Sequence, residues 1–210
     1  MIIWINGAFG SGKTSAAFEL NRRLSNSFVY DPENAGFFIR RNIPDELSKG
    51  DFQDIVLWRE INYKLISFIA HSSSKTLIIP MTVVNPDYYK EIIGKLISEG
   101  QDVKHFILYA SKNTLLHRLR LRRFFGGDKF AVDSIDRCLY SFDNLITETK
   151  IYTDNMRIYE VVNEIANQCG ITLMPDKSSL LKKLYIKFLF FLNIYVFHVI
   201  HYNFIIKIIF

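Results

Sequence analysis

The residues Gly7-Ala8-Phe9-Gly10-Ser11-Gly12-Lys13-Thr14 complete a G-x-x-x-x-G-K-[ST] pattern, directly behind the apolar run Ile2-Ile3-Trp4-Ile5 and directly ahead of a helix-forming stretch, Ser15 to Leu24. A buried strand, a glycine turn and a helix in that order leave few options for the fold. The glycines permit positive φ and close backbone approach, so that successive N–H groups converge on phosphate oxygens at the start of a helix. The pattern therefore predicts ATP binding by Gly7, Ala8, Phe9, Gly10, Ser11, Gly12, Lys13 and Thr14, with Lys13 on the β/γ-phosphates and the Thr14 hydroxyl on Mg²⁺.

The rest of the chain fits around this unit. Strand-like runs at Ile2 to Asn6, Ser27 to Tyr30, Thr76 to Pro80, Val103 to Tyr109 and Lys150 to Thr153 alternate with helical patterns over 13–24, 54–71, 87–99, 112–123, 133–146 and 157–168. Asp87 and Ser111 read as N-caps, Gly100 and Gly170 as stops. Such alternation predicts an α/β fold, a parallel sheet with helices on both faces and the ligand at the carboxyl ends of the strands. At 210 residues and 49% hydrophobic content there is enough chain for one such domain, residues 1–176, followed by an appendage, residues 177–210.

Composition narrows the function. Cys138 and Cys169 form no C-x-x-C pair and read as buried thiols in a reducing compartment, without chemistry of their own. The five histidines are scattered and fit no metal spacing. Beyond Asp176 the chain carries Lys177, Lys182, Lys183, Lys187 and Lys207 and no acid, which matches the whole formal excess of +5, so residues 1–176 are balanced. A basic tail on a neutral domain argues against a nucleic-acid-binding globular surface. The short apolar start runs straight into the glycine loop and does not read as a signal peptide.

Three further groups of residues carry chemistry. Asp31, in Tyr30-Asp31-Pro32-Glu33 after the second strand, can accept a proton from a substrate hydroxyl or hold Mg²⁺ through water; equally, Asp-Pro-Glu is a good helix start. The third strand ends in Pro80-Met81-Thr82 with no carboxylate, a pattern closer to small-substrate kinases than to mechanical ATPases, or else one of weak turnover. Arg118, Arg120, Arg122 and Arg123 precede Gly126-Gly127, and Arg137 follows. This reads as a lid whose guanidinium groups, from Arg118, Arg122, Arg123 or Arg137, neutralise a transferring phosphoryl group, whereas Arg120 reads as a solvated position. Between the second and third strands, Arg40, Arg41, Trp58 and Arg59 suit an aromatic, nucleoside-like acceptor bearing acidic groups, although Trp58 alone reads better as core.

Taken together, these residues resemble the TmrB-like tunicamycin-resistance proteins. The likeness runs through Ile2 to Thr14, Tyr30 to Glu33, Asp51-Phe52-Gln53 with Leu57-Trp58-Arg59, Pro80-Met81-Thr82, Tyr88 with Glu91 to Gly94, Ala110-Ser111-Lys112, Leu115-Leu116, Arg118 to Arg120, Ile135 to Cys138 and Thr153-Asp154-Asn155. It covers about residues 1 to 175 and implies a P-loop kinase-like fold, ATP binding, a role in resistance to tunicamycin, a nucleoside antibiotic with a fatty acyl chain, and attachment to the cytoplasmic face of the membrane by a C-terminal amphipathic helix. The end of the chain departs from that pattern. Ser179 to Lys187 is basic and amphipathic, but Phe188 to Ile206 is uncharged and strongly apolar, close to the ~20 residues that span a bilayer. Asn193, His198, His201 and Asn203 do not gather on one helical face, so a frameshifted or over-read end stands as the alternative.

The functional expectation is phosphoryl transfer to, or ATP-dependent handling of, a nucleoside-type antibiotic at the membrane. A non-catalytic sequestering protein and a small-metabolite kinase are the alternatives.

Overall fold

The structure is a computed structural model that describes residues 1–122 and 129–176. Met1–Met174 forms one compact unit. Five strands, β1 (Ile2–Gly7), β2 (Ser27–Val29), β3 (Thr76–Pro80), β4 (Val103–Tyr109) and β5 (Thr149–Tyr152), make a single parallel sheet in the order β2-β3-β1-β4-β5. The glycine loop follows the central strand, with β3 on one side and β4 on the other. All five expected strands are present, each within one or two residues of its expected ends.

Strand alternation splits the core. Ile2 and Trp4 of β1 and Leu77 and Ile79 of β3 face α2 (Glu33–Asn42), α3 (Val56–Ser72) and the helical segment made of α4 (Pro86–Tyr89), a π-helical stretch (Lys90–Gly94) and α5 (Lys95–Ser98), where they bury Ile39, Trp58, Ile66, Ile92 and Leu96. Ile3 and Ile5 face α1 (Lys13–Arg23) and α9 (Ile158–Cys169), with Leu20, Val162 and Ile165. A third cluster seats the loop end of the sheet on α6 (Lys112–Arg122) and α8 (Ile135–Asn144) through Ile107, Leu115, Cys138 and Phe142, and α7 (Lys129–Asp133) packs against both of those helices.

Two local features differ from expectation. The helix after Val84 is capped by Asn85, whose Oδ1 accepts the N–H groups of Asp87 at 2.8 Å and Tyr88 at 3.3 Å, with Pro86 at the first position; Asp87 is therefore inside the helix. α2 occupies a segment the sequence presents as an aromatic and arginine cluster. Gly170 ends α9 at φ 65°, as expected.

No helix among the described residues is long and apolar enough to cross a membrane. The tail and the hinge at Gly126-Gly127 lie outside the described residues.

Candidate functional site

The loop between β1 and α1 takes the backbone conformation that its glycines predict. Gly7, Gly10 and Gly12 have φ of 144°, 85° and 101°, values that side chains rarely adopt. A Cβ on Gly7 would come within 2.6 Å of both the Leu108 carbonyl and the Ser11 hydroxyl, so the loop has no room for any other residue there. The Ser11 hydroxyl is enclosed and has no hydrogen-bond partner among the described residues. Lys13 Nζ lies 3.1 Å from the Ala8 carbonyl, folded over the loop it would share with phosphate oxygens. Thr14 is half-buried in the first turn of α1. Among the described residues no cluster of three or more His, Cys, Asp or Glu side chains could hold a metal.

The entrance to the loop is locked by residues that motif reading passes over. Asn6 is fully buried; its Oδ1 accepts the N–H of Gly7 at 2.8 Å and of Val83 at 3.0 Å, and its Nδ2 donates to the Val83 carbonyl. At the end of β3, where a carboxylate is missing, the Thr82 hydroxyl donates to the Gly7 carbonyl at 2.8 Å. A polar residue at the tip of a run such as Trp4-Ile5-Asn6 was the signal available in the sequence, because a buried amide must find partners.

Arg118 is tied in from the other side. Its guanidinium donates to the Thr153 carbonyl at 2.5 Å, to the Thr153 hydroxyl at 3.1 Å and, at 3.4 Å, to the Ser11 carbonyl, so it links the end of β5 to the glycine loop. The Asp154 carboxylate accepts the N–H and hydroxyl of Ser111 and the Thr114 hydroxyl; these bonds, above all that from the Ser111 side chain, hold its pKa below the usual range. Arg120 is exposed, as expected. Arg123 and the Arg122 side chain lie outside the described residues.

Arg137, at the start of α8, places Nη2 3.4 Å from Asp51 Oδ2. Its neighbour Cys138 is fully buried against the loop and takes the Phe9 N–H on its sulfur; burial pushes its thiol pKa up, while Lys13 and Arg137 pull it down. Lys13, Arg137 and Asp51 thus share one neighbourhood.

On the acceptor side, Arg40 and Arg59 are committed within the protein, and Trp58 follows its core reading. Trp58 is fully buried and donates to the Pro32 carbonyl at 3.0 Å; its ring is core and offers no face to a ligand. Arg59 is 7% exposed, held by Glu91 and by the Gln53 carbonyl, both at 2.5 Å, and lies over the Tyr88 ring. Arg40 is spent on the carbonyls of Lys49 and Gly50 and on the Phe52 ring. Arg41 is exposed in the last turn of α2. Asp31 does two things: its Oδ1 accepts the Glu33 N–H at 3.0 Å at the start of α2, and burial, opposed by that hydrogen bond, raises its pKa. It lines an open apolar cavity of about 410 Å³ with Phe28, Tyr30, Phe38 and Leu65, beside the edge strand β2 and two strands from the loop.

Comparison with solved structures gives the fold its relatives. The chain is 32% identical to the Deinococcus radiodurans tunicamycin resistance protein, with a TM-score of 0.71 over 83% of this chain and 98% of that one. Shikimate kinase from Bacteroides thetaiotaomicron is 18% identical, with a TM-score of 0.56 over 81% of this chain and 99% of that one. The Mycobacterium tuberculosis APS kinase, solved with AMPPNP and APS, is 14% identical, with a TM-score of 0.55 over 80% and 96%. The last two likenesses establish the kinase-like fold alone. No family profile and no curated protein matches the chain.

Proposed function

Since the chain belongs to the tunicamycin-resistance protein family, we propose that it binds Mg-ATP at Gly7 to Thr14 and confers resistance by phosphoryl transfer to tunicamycin, a nucleoside-type antibiotic. The observation that carries this reading is convergence. Lys13 lies over the loop, Arg118 reaches the Ser11 carbonyl at 3.4 Å, and Arg137 adjoins Cys138, whose sulfur takes the Phe9 N–H, on a domain whose formal charge balances as a whole. Cations gathered at a backbone cradle suit a triphosphate.

Bound Mg-ATP supplies the phosphoryl group to be transferred. The chain's own residues bind and orient it. The loop N–H groups and Lys13 would hold the phosphates, the Thr14 hydroxyl would ligate the cation, and Arg118 and Arg137, with Arg122 and Arg123 from the lid segment, would stabilise charge on the phosphates. Asp31 is the candidate general base, since a carboxyl raised by burial is better matched to taking a hydroxyl proton near neutral pH. The basic and apolar tail, residues 177–210, holds the protein at the cytoplasmic face of the membrane, where a lipid-tailed drug is met.

Incubating the protein with Mg-ATP and tunicamycin and weighing the drug tests the reading directly: a phosphate added to the drug is the expected result. One observation favours a second reading. Thr82 stands where a magnesium-positioning carboxylate would end β3 and is committed to the Gly7 carbonyl. A protein that binds drug under ATP control without turning it over would leave the drug's mass unchanged while still protecting cells.

A further inference from the structure

Arg40, Trp58 and Arg59 each make one of their contacts to a single short turn, residues 51–54. Arg40 covers the Phe52 ring, which packs 5.4 Å from Trp58 and lies so close to Gly36 that a Cβ there would approach it within 2.7 Å. Arg59 holds the Gln53 carbonyl, and Tyr88 donates to Asp54 at 2.8 Å. A turn fixed from so many sides is a rigid platform, on which Asp51 is half-buried, Gln53 buried and Asp54 exposed.

Asp51 keeps the turn closed by accepting the Gln53 N–H on Oδ1 at 3.0 Å, and its Oδ2 meets Arg137 across the sequence gap between the insertion and α8. Arg137 adjoins Cys138, which touches the Phe9 N–H of the glycine loop and lies within electrostatic reach of Lys13, Arg137 and Asp51. The platform therefore borders the loop. Gln53 is 5% exposed, and its carboxamide has no hydrogen-bond partner among the described residues, yet neither amide atom is sealed from solvent. A carboxamide that no protein group satisfies but that solvent reaches is open to a ligand's donor and acceptor.

We propose that Asp51 and Gln53 form the acceptor subsite and that they take a nucleoside-type ligand, its sugar hydroxyls donating to Asp51 and its base imide edge pairing with the Gln53 carboxamide. The chemistry is complementary: a carboxylate only accepts, and a carboxamide both donates and accepts, as an imide does. Arg137 holds the Asp51 carboxylate at the border of the loop. The inference rests on the acceptor reading above, and it names the residues that recognise the acceptor.

The test is calorimetric titration of tunicamycin into full-length protein saturated with AMPPNP, for wild type, Gln53→Leu and Asp51→Asn. The asparagine keeps the oxygen that closes the turn. Each variant is expected to bind the drug at least about tenfold more weakly, with AMPPNP affinity and melting temperature unchanged. Variants that bind the drug as tightly as wild type overturn the assignment. Equal losses for drug and AMPPNP also overturn it, since they mark both residues as props of the fold. A parallel Mg-ATP arm, read by the mass of the drug, separates the two proposals: drug that binds but is never phosphorylated fails the transfer reading, and the binding comparison alone then decides the subsite.

Discussion

At the scale of single residues, the same side-chain type has different uses depending on what lies within a few ångströms. Lys13 removes no core volume when truncated, because its amine sits over the loop rather than inside the protein. Lys13→Ala is expected to abolish tight Mg-ATP binding with the melting temperature nearly unchanged, and nucleotide titration beside a thermal melt checks both halves. Gly7→Ala is the opposite case. With φ at 144° and two oxygens 2.6 Å from the new Cβ, it should destabilise by several kcal/mol or deform the loop, so melting temperature and nucleotide affinity fall together. Asp31→Asn keeps an oxygen for the Glu33 N–H and loses only the charge. If Asp31 is the base, turnover drops about 10²–10⁴-fold while ATP still binds; a variant with full turnover removes Asp31 from the chemistry.

At the scale of elements, β4 carries a liability that leads to a pH prediction. His105 is buried, stacked on Tyr89 at 5.6 Å, with neither ring nitrogen hydrogen-bonded among the described residues and the Glu148 carboxylate 4.0 Å away. Burial pulls its pKa down to about 3, from an ordinary 6.5 in the unfolded chain. Between those values the unfolded state binds the extra proton, so stability is full above pH 6.5 and is lost as pH falls toward 3, by an amount on the order of a few kcal/mol. His105→Phe should flatten that slope, which urea midpoints at pH 7 and pH 4.5 would measure. The strands themselves were legible because each is an apolar run bounded by turn residues. The site was legible only where chemistry is local. Gly7 to Thr14 could be read directly, since one contiguous turn does the work. Arg118 and Arg137 could be read as types but not as partners, because Ser11 and Asp51 lie 107 and 86 residues away. Trp58 was legible as core, but its partner and that of Arg59 were not: their hydrogen bonds go to the backbone at Pro32 and Gln53, set by how α3 packs.

At the scale of the whole molecule, charge divides the chain. Residues 1–176 balance, and the tail holds the entire excess of +5. The unit Met1–Met174 has its own core on both faces of the sheet. Truncation after Asp176 is therefore expected to give a soluble protein that binds ATP as before but protects cells less against tunicamycin. The two parts of the tail act by different physics. Lys182, Lys183 and Lys187 should each add about 1 kcal/mol on an anionic leaflet, an attraction that salt screens, whereas insertion of the apolar run 188–206 is insensitive to salt. Replacing the three lysines with Gln should thus leave much of the full-length protein on membranes even in high salt. Flotation of wild type, truncated and lysine-free proteins with anionic vesicles, with and without salt, measures each contribution. Full-length protein that stays in the soluble fraction would overturn membrane attachment, and wild-type protein released entirely by salt would reduce the attachment to charge alone.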